Sequence, residues 1–368
     1  MRKFYLDNIR WITVVLVVIY HVFYMYNSEG ILGGLGKITD LDIQYYDAFM
    51  YLVYPWFMPV LFVVAGISSS LYLEKHSGRE FIKSRTLKLL VPSTLGLVAF
   101  QFLQGYVSMS LGSGFYDLAR AGVPKVVIFL IMLASGSGVL WFCHLLWIYS
   151  LLLLLIRRIE KGKLQVFCEK TPLWLIPLLY FPVWGAGQLL NTPIVAVYRC
   201  GFYTAFFFLG YYVFSREEVM TKLKRYAAAL ICIWVILCIA FTVRYFGYNY
   251  ADKPVNRGAL YAACAYFGFL AVLTGMARFG DFSNRFTRWM SRKSFGLYVF
   301  HYLGISSVAL YVAKPKLLSA PLCYLLSLAA GFVFGFGLYA IISRIPVYRF
   351  LVLGIKKKPR DLRSESID

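Results

Sequence analysis

The sequence predicts an all-α fold, a polytopic membrane bundle of about ten transmembrane helices with both termini in the cytoplasm. Three observations carry that expectation. Hydrophobic residues fill 60% of the 368 positions and charged ones 15%, with a mean hydropathy of +0.67, far from the balance of a water-soluble domain. The apolar residues gather in runs of about 20, the length that crosses hydrocarbon. The net charge of +21 sits in short basic clusters between those runs, so it reads as a topology signal and not as the continuous stripe of a nucleic-acid surface.

The runs follow one another at about 9–27, 49–73, 87–109, 139–156, 173–190, 197–214, 226–246, 257–277, 294–313 and 320–343. The first follows Arg2 and Lys3 as a signal peptide would, yet it holds Arg10 and His21 and leads to no small-residue cleavage site, so a retained helix is expected. With the N-terminus inside, 28 of the 38 Lys and Arg fall in inward segments: at the N-terminus, in 74–88, 157–170, 215–225 and 278–293, and from Arg344 onward. Eight fall in outward segments, and Arg10 and Arg199 lie at or within helix ends. That asymmetry supports ten helices.

Residues 123–134 are apolar but too short to cross, which suits an interfacial or re-entrant piece, and Ser135-Gly136-Ser137-Gly138 reads as a flexible joint. Residues 1–355 read as one transmembrane domain and 356–368 as a charged, disordered cytoplasmic tail that can meet anionic headgroups of the bilayer. No internal repeat or inverted symmetry is evident. The glycine-rich spans carry association motifs too common to decide an oligomeric state, homo-oligomer included. Seven scattered cysteines, mostly inside apolar runs, suggest neither a disulfide framework nor a metal site.

Two tempting motifs fail. Gly33-Gly34-Leu35-Gly36-Lys37 has Ile31 where a phosphate loop needs Gly and Ile38 where it needs Ser or Thr. Gly66-Ile67-Ser68-Ser69-Ser70 lacks the closing Gly of a nucleophile elbow and sits in a spanning helix, where small residues permit close packing.

Ionisable groups inside a membrane cost about 2.5–3.5 kcal/mol each on insertion scales and are functional candidates by default. Here they are Arg10, His21, His144, Arg199 and His301. Arg10 and His21 are eleven residues apart, a rise of about 16.5 Å and a rotation of about 20° past three turns, which places them on one helix face. Asp7 is spaced to pair with Arg10. The face suits a long anionic-headed substrate, with a guanidinium for its phosphates and an imidazole for its far end. The plain alternative is an Arg10 that snorkels to the interface and a His21 that bonds a neighbouring helix. His144, in the outer third of the fourth span, and His301, in the inner third of the ninth, line a tunnel or serve as structural hydrogen bonders. Arg199, Arg244 and Arg257 approach the outer face, where they hold an anionic acceptor or cap helices.

Leu6-Asp7-Asn8-Ile9-Arg10, an apolar stretch and His21, with ten residues between Arg and His, resemble the signature of acyltransferase family 3, integral membrane acyltransferases that modify cell-surface glycans. Phe57-Met58-Pro59-Val60-Leu61-Phe62 with Ala65-Gly66, Trp141-Phe142, and Ser294-Phe295-Gly296-Leu297-Tyr298 with His301 agree in order. The resemblance implies a bundle in the bacterial cytoplasmic membrane that takes an acyl group, most often acetyl, from cytoplasmic acyl-CoA as donor substrate, with no bound cofactor and no metal. It delivers that group to a hydroxyl of a cell-envelope glycan or related acceptor. By the same resemblance His21 is the essential histidine and Arg10 its donor-binding partner. The paired arginines that the family carries at the start of the third span fall here on Arg85 and Lys88, so the second is a charge match only. Some members add an extracellular esterase-like domain; none is expected here, so the acceptor reaches the membrane site directly or through a partner.

A hydroxyl attacks a thioester once a base removes its proton, and His21 is the best-placed base, while an acyl-histidine carrier is the other route. Oxyanion donors are sought among Tyr298, Ser294, Trp141 and backbone amides. The donor side thus comprises Arg10, Arg85, Lys88, His301, Tyr298 and Ser294, and the acceptor side His144, Trp141, Arg199 and Arg257. The rival readings are a transporter or flippase of an anionic or lipid-linked metabolite, and a non-catalytic membrane partner. Missing repeats and missing intramembrane carboxylates count against transport.

Overall fold

The computed structural model describes residues 3–112, 114–190 and 198–356, and every element among them is helical. In chain order these are α1 Phe4–Met25, α2 Ala48–Leu73, α3 Gly78–Leu111, α4 Gly114–Arg120, α5 Lys125–Gly136, α6 Gly138–Glu160, α7 Lys163–Glu169 and α8 Leu175–Ala186. There follow α9 Cys200–Phe214, α10 Glu217–Tyr245, α11 Ala259–Phe279, α12 Arg285–Ala313, α13 Ala320–Ile342 and α14 Pro346–Leu353. Eight of them, α1, α2, α3, α6, α10, α11, α12 and α13, are long and apolar enough to cross a membrane. The expected fifth and sixth spans appear as the shorter α8, which contains Pro177 and Pro182, and α9. Residues 191–197 between them, and 357–368 of the expected tail, lie outside the described residues.

The flexible joint expected at residues 135–138 is not what forms. The segment 123–134 is the short helix α5, and the joint after it is a packing point: a Cβ on Gly136 would strike Gln101 O of α3, and one on Gly105 would strike Met132 O. The basic clusters between the apolar runs are largely helical. Helix α12 starts at Arg285, nine residues before the apolar run, and α10 at Glu217. Hydropathy ends a span at its first charge, but Lys and Arg are good helix formers whose heads can reach water from the last turns, so the helix continues.

The chain divides into two compact units, one of residues 1–13, 45–82 and 148–291, the other of 14–44, 83–147 and 292–368. The first is built around α2, most of whose residues are buried despite Pro55 and Pro59. Two serine hydroxyls of α2 are satisfied without leaving the helix, as Ser68 Oγ donates to Val64 O at 2.6 Å and Ser69 Oγ to Ala65 O at 2.7 Å. Gly66 of α2 and Gly210 of α9 face each other's helices so closely that a Cβ on either would meet backbone, at Phe207 O and Val63 O. Backbone-to-backbone approach of this kind maximises dispersion contact where no hydrophobic force separates helix from lipid.

In the second unit α3 is tied to α12 by amide side chains. Gln101 Nε2 donates to Val299 O at 3.2 Å and Gln104 Nε2 to Ser306 Oγ at 3.1 Å. Helix α14 packs against α3 near Gly96, and buried Arg349 donates to the carbonyls of Ser343 and Lys356.

Overpacking a backbone crossing costs about 1–3 kcal/mol or more. Gly66→Leu is therefore expected to melt well below the parent in detergent, whereas Gly337→Ala, whose Cβ meets nothing within 4 Å, should melt at or slightly above it. Scanning fluorimetry on the two variants side by side checks this; equal melting temperatures would show that the crossing does not constrain the fold.

Candidate active site

Helix α1 runs unbroken from Phe4 to Met25 and carries both Arg10 and His21. At Arg10 the guanidinium is forked: Nη1 lies 2.7 Å from Asp7 Oδ1, and Nη2 donates to Ser68 Oγ, which itself donates to Val64 O. The Asp7 partner was legible from its i,i+3 spacing. Ser68 was not, because only the packing of α2 brings it there. The Arg10 side chain is 39% exposed, so the charge is oriented yet reachable.

His21 and His301 form a pair, with His301 Nε2 and His21 Nδ1 3.0 Å apart. The sequence offered no signal that would bring these two together. His301 is sixteen residues past Arg285 at the start of α12, and His21 seventeen past Phe4 at the start of α1. His301 is fully buried, and its Nδ1 faces two carbonyls, Tyr298 O at 2.9 Å and Leu297 O at 3.1 Å.

Those partners assign the tautomers. A carbonyl only accepts, so His301 Nδ1 carries hydrogen and, in the neutral ring, Nε2 is a bare acceptor. His21 Nδ1 must then be the donor, which leaves His21 Nε2 as a lone pair. The Val17 carbonyl, one turn earlier, is a further acceptor beside the His21 ring. Tyr302, Tyr20 and Tyr24 wall the imidazole, with ring centroids 5.1, 5.5 and 5.7 Å away. Tyr302 is fixed in turn by a 2.8 Å bond to Gly33 O. The glycine-rich loop rejected as a phosphate site thus supports the histidine pair. Tyr302 itself was missed, its only signal being its place beside His301.

Tyr298 directs its hydroxyl to Val139 O, so its donor is committed to the start of α6, and its own carbonyl holds His301. Ser294, one turn earlier on α12, is buried. Trp141 is half-buried at the start of α6, and His144, one turn on, bonds Ser93 O through Nε2 at 2.8 Å. Arg85 is half-buried just before a π-helical stretch, Thr86–Leu90, and Lys88 is exposed within it; the Thr86 hydroxyl accepts from Trp147 Nε1 at 3.0 Å.

Arg199 and Arg257 meet at one loop. Arg199 is buried, donates to Asn256 O and stacks on Phe202 and Tyr261, with its Cζ 4.2 and 4.6 Å from the ring centroids. Arg257 accepts through its carbonyl from Trp184 and Gln188. Exposed Arg244 lies over Tyr245. Among the described residues no three His, Cys, Asp or Glu come together as metal ligands.

Over residues 3–342 the chain matches the sequence profile of the acyltransferase 3 family, described as an acyltransferase domain. No curated protein and no solved structure was found to match it. The profile covers nearly the whole of a helical chain in which eight helices can cross a membrane, and the protein therefore belongs to the acyltransferase 3 family of multi-pass membrane acyltransferases.

Proposed function

We propose that the protein is an O-acyltransferase of the bacterial cytoplasmic membrane, with both termini inside. It moves an acyl group, acetyl foremost, from cytoplasmic acyl-CoA to a hydroxyl of a cell-envelope glycan or related acceptor. The observation that carries the reading is the His21–His301 hydrogen bond, whose tautomers leave a lone pair on His21 Nε2. A neutral imidazole with one bare nitrogen, walled by tyrosine rings, is a general base.

In this mechanism His21 Nε2 takes the proton of the acceptor hydroxyl as its oxygen attacks the thioester carbonyl carbon. The tetrahedral oxyanion collapses, the C–S bond breaks, and the imidazolium returns the proton to the leaving thiolate. Ester and free thiol are the products, and the base ends neutral. The positive charge that develops on His21 is shared through Nδ1–H with His301 Nε2, which orients the ring as a carboxylate does in a hydrolytic triad, without adding charge to the hydrocarbon.

Arg10 suits the other end of the donor. It lies about 16.5 Å from His21 along one helix, of the order of the extended pantetheine arm that separates the phosphates of CoA from its thioester. Arg85 and Lys88 add cations for those phosphates as α3 begins. His144 is less suited to chemistry, since its Nε2 is held at Ser93 O, and Arg199 is stacked on Phe202 and Tyr261 with one nitrogen on Asn256 O.

His21→Ala should lower transfer of label from acetyl-CoA, in oriented vesicles, by about 10²–10⁴ while the variant still binds the donor. Full transfer by His21→Ala, or solute flux with no acyl consumption, would sink the proposal. His301→Gln, which can place an acceptor oxygen near Nε2, should retain more activity than His301→Leu, which leaves His21 Nδ1–H without its partner; equal loss in both would remove the orienting role. Arg10→Lys should raise the KM for acyl-CoA about tenfold with a smaller effect on kcat, because an ammonium cannot fork between Asp7 and Ser68 and still meet phosphate; an unchanged KM would count against donor contact.

A further inference from the structure

Where α3 and α12 end, on the face that the asymmetry of basic residues assigns to the outside, a cleft of about 320 Å³ opens, lined by Tyr106, Ser110, Tyr116, Tyr311 and Lys314 among others. We propose that it is a carbohydrate subsite that takes a neutral pyranose of the acceptor. Its role in the reaction rests on the O-acyl transfer proposed above.

Four features argue for a sugar. Three tyrosines present flat apolar faces with polar edges, the pattern that matches the C–H face and hydroxyl rim of a pyranose. Phe115 packs edge-on against both Tyr106 and Tyr116, with ring centroids 5.0 and 5.4 Å away, which presets that wall. Ser110 is 3% exposed, and its Oγ has no hydrogen-bond partner among the described residues. A buried hydroxyl of this kind calls for an occupant that can bond it.

Lys314 supplies the fourth. Its ammonium donates to Ser110 O at 2.9 Å, Leu111 O at 3.0 Å and Gly112 O at 3.4 Å, so it closes the C-terminus of α3. Its three hydrogens are thereby engaged, which leaves little for a phosphate, and among the described residues no carboxylate lines the cleft. The site therefore favours a neutral polyhydroxylated ligand over a phospholipid headgroup. Tyrosines of an interfacial belt also sit at such depths, but a belt does not build a cleft around an unpartnered buried hydroxyl.

Position adds a restriction. Leu310, which also lines the cleft, is nine residues beyond His301 on the same helix, a rise of about 13 Å. A sugar in the cleft cannot itself present a hydroxyl to His21. The acceptor is thus a chain of sugars, one residue held in the cleft and another acylated deeper.

The test is saturation-transfer NMR on the full chain in detergent, using cellotriose, maltotriose and chitotriose as probes. Ring protons of at least one sugar should receive saturation, and the signal should fall about fivefold or more, the equivalent of about 1 kcal/mol of ring contact, in Tyr311→Ala. It should survive in Tyr311→Phe, which keeps the ring and guards against misfolding as the cause. His21→Ala should bind sugar as the parent does; an absence of acetyl transfer by the parent protein while it binds sugar would overturn the enzyme reading and leave the subsite standing. No signal with any of the three sugars, a signal indifferent to Tyr311→Ala, or displacement by short-chain phosphatidylglycerol but not by free sugar would overturn the subsite.

Discussion

A polar side chain inside hydrocarbon must find its partner within the protein, because no water is there to replace one. This constraint organises the molecule. Serines of α2 bond their own helix, glutamines of α3 reach across to α12, and Arg349 is closed by two carbonyls. The same rule acts on His301: fully buried, it gives its Nδ1 hydrogen to carbonyls one turn back, and its Nε2 is thereby left to accept from His21. The lone pair on His21 that could do chemistry is thus a consequence of ordinary hydrogen-bond satisfaction one residue away.

The second constraint is contact distance. Without a hydrophobic difference between helix and lipid, helices gain by approaching closely, and the glycines that allow it fall where the elements cross, Gly66 with Gly210 in one unit and Gly105 with Gly136 in the other. Gly66 also stands half a turn before Ser68, the residue that holds one arm of Arg10. Packing and site geometry are therefore coupled within α2, and the Gly-Ile-Ser-Ser-Ser run that fails as a nucleophile elbow serves both.

The basic residues have two kinds of environment. Arg10 is forked between a carboxylate and a hydroxyl and remains partly open, as suits a group that meets an anion. Arg199 and Arg349 are buried against carbonyls, as suits a tie between segments. Residue type alone does not separate these cases; partners and exposure do.

By itself the sequence determined the fold class, the approximate order of the spans, the Asp7–Arg10 pair and the alignment of Arg10 with His21, because each follows from helix periodicity or from the cost of charge in hydrocarbon, both local properties. Where the helices begin was less legible: the charged turns that open α10 and α12 interrupt the hydropathy that marks a span. Only the tertiary structure decided that His301 meets His21, that Ser68 and Tyr302 belong to the site, and that the phenol of Tyr298 is spent on Val139 O. Those contacts join residues from 58 to 280 positions apart. They depend on which faces pack and at what height, and no local pattern encodes that.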